Sequence, residues 1–380
     1  MYIVTYLSSC LFTYFDTRKT KEHNKIGIFG WIAIIIPCIL SGLRDYNVGT
    51  DTNMYVKIFS VIKNADIVSL LNPSDGSIKS VEVLYRLYIY LIATVFNDYH
   101  WCLFFSEFIV MYFLYKAIIN AKLGKYSCIA LYIYFMVFFG LSFNILRQTM
   151  AMSIVLWGFQ FVETSKFGKY LVTIIVASCI HLPALMCIIS YFLYKLTVKK
   201  PKKKNNAYLQ YIRNNLNHYK LIICFIIIVV ALAIVIEIPK FVKMLYLIKG
   251  TYFEQGKNLN QRFIFSYSGA LIMFVIFLPF IYFKKYLNHK LININFYILL
   301  IIIAAILYQM GGFSAQLSRV HLYFLLYMVL AFPQLFQALS KSNRLVITII
   351  YLIFFTYYYY SVFYIHNTGM IYPYIFFSGI

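Results

Sequence analysis

Residues 345–365, LVITIIYLIFFTYYYYSVFYI, carry no charged side chain. A helix of that length crosses a hydrocarbon core of about 30 Å, and it satisfies its own N–H and C=O groups without water. Runs of the same kind recur along the chain, separated by short stretches of charge or of Pro, Gly and Asn. They predict spans near residues 1–15, 26–43, 83–97, 101–119, 127–145, 148–162, 170–196 (one long or two short), 220–238, 267–283, 291–310, 319–338 and 345–365, about twelve in all.

Composition agrees with this reading. The 380 residues are 62% hydrophobic and 12% charged, with a mean hydropathy of +0.75. That is more apolar surface than a soluble core can hold. Strands of a membrane barrel would be about 10 residues long and would alternate apolar with polar, so the expected fold is an all-α polytopic membrane protein, a single helical bundle over residues 1–380. Outer loops carrying short interfacial helices complete it. The first span lacks a basic leader and a small-residue cleavage site, so it is expected to be retained.

The net charge of +22 invites a nucleic-acid reading, but Lys and Arg sit in short inter-helix loops rather than on one basic face. The positive-inside rule accounts for most of it. It makes the connections carrying Arg18, Lys19, Lys21 and Lys25, the loop 195–220 with KKPKKK at 199–204, and KKYLNHK at 284–290 cytoplasmic. Residues 44–82 then form a first long outer loop and 239–266 a second, itself basic. Simple alternation of these spans leaves Lys122, Lys125, Lys166 and Lys169 outside, against the same rule; a break at His181-Leu182-Pro183 repairs the second of these loops only if another segment is also miscounted. The seven cysteines all fall in apolar spans with no CxxC pair and no clustered His, which argues against disulfides and a structural zinc.

Four polar interruptions remain. In GLRDYNVGTDTNMY, residues 42–55, Arg44 and Asp45 leave the second span, Gly49 permits a tight turn, and Thr50, Asp51 and Thr52 precede a helix with Tyr55, Ile58, Phe59 and Ile62 on one face. A helix cap explains Asp51 or Thr52 but not Arg44 and Asp45. In SFNILRQTMA, residues 142–151, Arg147 and Gln148 break an apolar run; a charge at membrane depth faces a wet cavity or a partner, unless it snorkels from a helix end. His181 lies in ASCIHLP two residues before Pro183, where it is either a hydrogen-bonded core residue or part of a polar site. In QLSRVHLYFLLY, residues 316–327, Gln316, Arg319, Tyr323 and Tyr327 share a helical face, as an inward stripe or an interfacial belt. Glu82 stands four residues before Arg86, and Glu107 inside a span could pair with Arg86.

The order GLRDYNVGTDTNMY, Glu82 ahead of YRLYIYL, ILRQTMAMSI, ASCIHLPAL and LSRVHLYF resembles the EpsG family of Wzy-like exopolysaccharide and O-antigen polymerases, from about residue 40 to 325. The first block, R-x-x-x-x-G-T-D-T-x-x-Y, is the most specific. The resemblance implies a multi-pass protein of the bacterial cytoplasmic membrane. It implies that such a protein joins lipid-linked oligosaccharide repeat units on the outer face, with membrane lipids, a chain-length regulator and a flippase as the expected partners and no nucleic acid. Matching positions are Arg44, Gly49, Thr50, Asp51, Tyr55, Arg147, Gln148, His181 and Arg319; Asp45, Glu82, Gln316 and Tyr323 stand beside them as further substrate-binding candidates.

The implied donor is a polyprenyl diphosphate-linked glycan. Arginine forks suit its leaving group, and an acceptor hydroxyl needs a carboxylate or imidazole to take its proton. Arg44, Arg147 and Arg319 are the candidates to stabilise the leaving group; Arg147 and Arg319 with Asp51 and His181 are the catalytic candidates, with Asp51 and His181 contending for the base. Asp51-Thr52-Asn53 supplies no second carboxylate, so no metal or other cofactor is required. The rivals are a lipid-linked oligosaccharide flippase, which would be expected to show repeated halves that this chain lacks, and a ligase or related lipid-sugar-dependent transferase, which the residues hardly separate from a polymerase.

Overall fold

The computed structural model describes residues 1–19, 25–73, 75–198, 265–287, 290–312 and 318–378, and every regular element among them is helical. The expected span 220–238 lies outside the described residues, as do nearly all of the basic loop 195–220 and the second outer loop 239–266. Among the described residues four helices are long and apolar enough to cross a membrane: Tyr99–Asn120, Gly124–Ser142, His321–Ala338 and Lys341–Ile365. Shorter apolar helices such as Ile28–Gly42, Tyr267–Tyr282 and Ile294–Gln309 run beside them.

Helix α1 (Tyr2–Lys19) lies against α2 (Ile28–Gly42), with Ser9 Oγ donating 2.5 Å to the Ala33 carbonyl. Helix α3 (Thr52–Lys63) and the short α4 (Ile67–Leu71) and α5 (Gly76–Lys79) lead to α6 (Val83–Phe96) and α7 (Tyr99–Asn120). Gly42 meets Phe104 and Gly30 meets the Tyr115 hydroxyl, so α2 and α7 run antiparallel. After α8 (Ser127–Tyr134), a π turn at Phe135–Phe139 and the single turn α9 (Gly140–Ser142), the chain reverses into α10 (Leu146–Glu163). Tyr2, at the start of α1, lies against Phe143 and donates to the Ile371 carbonyl at 2.7 Å. The ends of α2 and α9 and the starts of α1, α7 and α10 therefore share one end of the bundle.

The other end collects the lysines. Helix α11 (Phe167–Ser178) returns from Glu163, and a 3-10 turn at Leu182–Ile188 feeds α12 (Ile189–Thr197). Tyr170 donates to the Cys187 carbonyl at 2.7 Å and Tyr191 to that of Ser165 at 3.2 Å, so residues 167–197 are an antiparallel hairpin and not one long span. His181 sits at its tip. Helix α6 is the second departure from expectation. Its start is bonded to the start of α10, the Tyr88 hydroxyl lies 2.8 Å from the Cys102 carbonyl and 3.1 Å from Ser106 Oγ, and Phe96 stacks on Trp101 (4.6 Å). All of these contacts lie at the beginnings of α7 and α10, so α6 stays at one end instead of crossing.

These two changes bring Lys122, Lys125, Lys166 and Lys169 to the end that also holds Lys25 and Lys195. Helix α13 (Tyr267–Tyr282), α14 (Lys284–Leu287) and α15 (Ile294–Gln309) agree, since Asn293 donates 2.8 Å to Glu163 while Ser266 and Gln309 are bonded at the opposite end. Helices α16 (His321–Leu325) and α17 (Met328–Ala338) descend to Arg344, which lies over Tyr126 at 5.9 Å. Helix α18 (Lys341–Tyr359), extended by a π turn at Tyr360–Ile365, climbs back. The charge conflict in the sequence reading therefore came from counting a tangential helix as a span.

The C-terminal residues 367–378 fold back as a strap over residues 43–50. Asp45 N–H bonds the Ile375 carbonyl (2.9 Å), Phe377 N–H that of Leu43 (2.9 Å), Gly49 N–H that of Met370 (3.0 Å) and Thr50 N–H that of Gly369 (3.1 Å).

Candidate functional site

Four chain segments meet at the end opposite Lys122, Lys125, Lys166 and Lys169: the start of α3, the start of α6, the start of α10 and the tip of the α11–α12 hairpin. Arg147 enters in the first turn of α10, and its Nη1 donates 2.5 Å to Glu82 Oε2 and 3.3 Å to the Ser80 carbonyl. Glu82 precedes α6 at the cap position but caps nothing there. Its other oxygen accepts the Leu182 N–H at 3.0 Å. One carboxylate thus ties a guanidinium to the turn that carries His181. The expected Glu82–Arg86 pairing does not form; Arg86 donates instead to the Ile78 and Val81 carbonyls at 3.2 and 2.8 Å.

His181 Nδ1 lies 2.8 Å from the Tyr323 hydroxyl, with the two rings nearly parallel at 20°. Arg147 and Arg319 both act electrostatically on the imidazole. Gln148 Nε2 donates 2.7 Å to the Arg319 carbonyl. That bond fixes the backbone of Arg319, whose residue is exposed. Tyr55 is buried, and Arg147, Asp51 and Arg319 all act on its hydroxyl. Arg147, Arg319, His181, Glu82, Tyr323, Gln148, Tyr55 and Asp51 are thereby brought together. Gln316 lies outside the described residues.

Asp51 occupies the cap position of α3, but its side chain makes no cap bond. The buried Thr52 hydroxyl instead bonds the Val48 carbonyl at 2.8 Å. Thr50 Oγ1 stands 3.2 Å from Asp51 Oδ1 and 3.0 Å from Asn144 Oδ1, so its one proton serves either oxygen in turn. Gly49 turns the loop at φ +104°, where an added Cβ would sit 2.6 Å from Thr52 Oγ1.

Two expected site residues lie elsewhere. Arg44 is fully buried (0% exposed), with Nη1 on Ser41 Oγ at 3.0 Å, Nη2 on the Phe143 carbonyl at 3.2 Å, and its guanidinium 4.0 Å over the Phe143 ring. It braces α2 against the α9–α10 turn. Asp45 accepts from Asn47 N–H and Nδ2 at 3.0 and 2.8 Å, shaping the loop. Glu107 does not pair with Arg86; Tyr134 and Ser142 hydroxyls donate to it at 3.2 and 2.8 Å inside the bundle.

Sequence reasoning overlooked Asn144. It stands in SFNILRQTMA beside the arginine that drew attention, and only its amide chemistry in a turn between helices could have marked it. Among the described residues no His, Cys, Asp and Glu group is arranged to hold a metal ion.

The chain is a polytopic helical bundle with two guanidiniums, two carboxylates and an imidazole gathered at one end. A family model, that of the EpsG family, matches residues 27–376, and the chain belongs to that family. Membership makes it a membrane-associated enzyme of polysaccharide synthesis that works by glycosyl transfer. No curated protein and no solved structure matches.

Proposed function

We propose that the chain is a polysaccharide polymerase that moves a growing glycan from a polyprenyl diphosphate carrier to a sugar hydroxyl of a second lipid-linked repeat unit. The observation that carries this reading is the convergence of Arg147, Arg319 and His181 at the end farthest from the lysine-rich turns. By the positive-inside rule that end faces away from the cytoplasm, where assembled repeat units are used in the bacterial envelope.

The acceptor oxygen attacks the anomeric carbon, the bond from that carbon to the diphosphate oxygen breaks, and the acceptor proton passes to a protein base. Arg147 and Arg319 neutralise the charge that develops on the departing lipid diphosphate, each contributing a few kcal/mol in a partly dehydrated site. No divalent cation is needed in that role. Glu82 is a positioning residue, holding the Arg147 fork and the His181 turn. With Nδ1–H donating to the Tyr323 oxygen, His181 Nε2 carries the lone pair. Asp51, uncommitted to the cap, binds or deprotonates the acceptor hydroxyl with Thr50 beside it.

The test is a strain lacking the chain and complemented with wild type or Arg147→Ala. Expected are full-length surface polymer with wild type and single lipid-linked units with the variant at normal protein level. Full-length polymer from the variant would remove the leaving-group role, and absence of any outward repeat unit in the deletion strain would favour a flippase.

A further inference from the structure

Asn144 lies in the turn between α9 and α10, is 8% exposed, and has both ends of its amide engaged. Oδ1 accepts the Asp51 N–H at 3.3 Å and stands 3.0 Å from the Thr50 hydroxyl. Nδ2 donates 3.1 Å to the Gly369 carbonyl in the C-terminal strap. The surrounding backbone leaves no slack. A Cβ at Gly369, where φ is +82°, would come within 2.3 Å of Asn144 Nδ2, and one at Gly49 within 3.2 Å of Oδ1. The strap also holds the same loop through the Gly49 and Thr50 N–H groups, two residues from Asp51 at most. Arg147 follows Asn144 by three residues, so this turn and the first turn of α10 set the guanidinium and the Asp51 loop from one rigid corner.

We propose that Asn144, braced by the C-terminal strap at Gly369, is the positioning residue that fixes where the Asp51 carboxylate and the Thr50 hydroxyl stand relative to Arg147. This rests on the polymerase reading above. Asn144 touches no substrate. It acts through the backbone of Asp51, and an amide is the side chain suited to the place because it accepts on one side and donates on the other. A misplacement of about 1 Å at a reacting group can lower turnover by roughly 100-fold, so the expected effect falls on kcat and not on binding of the lipid-linked unit.

The experiment uses full-length purified protein in lipid vesicles, with lipid-linked repeat units extracted from the deletion strain as substrate. Wild type, Asn144→Leu, Asn144→Asp and Asp51→Asn are compared for kcat, KM and thermal midpoint. Expected for Asn144→Leu, assayed well below its midpoint, is a fall of kcat by about 100-fold with KM near wild type; the midpoint itself drops because the Asp51 N–H and the Gly369 carbonyl lose their partner. Asn144→Asp keeps an acceptor for the Asp51 N–H but loses the donor to the Gly369 carbonyl, so it should recover only part of kcat. Three results would overturn the proposal: unchanged kcat in Asn144→Leu, a loss explained by unfolding at the assay temperature, or an equal loss in Asn144→Asp. If wild type itself joins no units, the polymerase reading fails and not this assignment alone. A loss in Asp51→Asn with normal turnover in Asn144→Leu sinks the positioning role while leaving the reading intact.

Discussion

Replacing Arg147 by Met separates the scaffold from the chemistry. The Arg147–Glu82 pair is short (2.5 Å), and its side chains are only 15% and 10% exposed, so removing one partner strands a charge in a poorly hydrated place. Breaking a fully buried pair costs about 3–5 kcal/mol. The residual exposure brings the expected loss to about 2–3 kcal/mol, or roughly 30- to 140-fold in the folded ratio. The double variant Arg147→Met/Glu82→Gln removes both charges while the new amide oxygen still accepts the Leu182 N–H. Its thermal midpoint in detergent should return close to wild type. Activity should not return, because a cation aimed at developing charge is worth about 100- to 1000-fold in turnover. Surface-polymer length by gel electrophoresis, read at matched protein level, gives the answer. Full-length polymer from the double variant would refute the reasoning and leave Arg147 as a structural residue.

Asp51→Asn keeps the cap position filled and the helix stable, so loss of polymer with an unchanged midpoint is expected; normal polymer would reduce Asp51 to a loop residue. Tyr323→Phe removes the only polar atom bonded to the imidazole at 2.8 Å among the described contacts, and polymerisation should fall about tenfold through lost orientation of His181, checked by the rate of chain extension in vesicles. Gly49→Ala imposes φ +104° on a side chain and presses a Cβ on Thr52 Oγ1, which should lower stability by about 1–3 kcal/mol and shorten polymer, read as a lower midpoint. Arg44→Met should reduce the amount of folded protein, since the Phe143 carbonyl and Ser41 lose a charged donor worth about 1.5–3 kcal/mol. The polymer made by the surviving fraction should nonetheless be of normal length, measured in cells grown at low temperature.

The helical-bundle class, the polar interruptions and the amphipathic face of α3 were all legible in the sequence. Tyr55, Ile58, Phe59 and Ile62 are buried as their spacing requires. What misled was treating every long apolar run as a crossing. Residues 83–96 are apolar because α6 is packed on α3 and α7 at one end of the bundle, and hydropathy records burial without direction. Arg44 misled for a related reason. A charge beside a membrane span signals that something compensates it, but not whether that partner is a ligand or the protein's own Ser41 and Phe143.

Sequence by itself determined the solvent this chain folds in and the residue types of its site, because the cost of apolar surface in water and of charge in hydrocarbon depends on composition and local pattern. Tertiary structure alone decided which charges meet. Glu82 finds Arg147 across 65 residues and Asn144 finds Gly369 across 225. Contacts at such separations are fixed by how helices pack and turn, which no local period encodes.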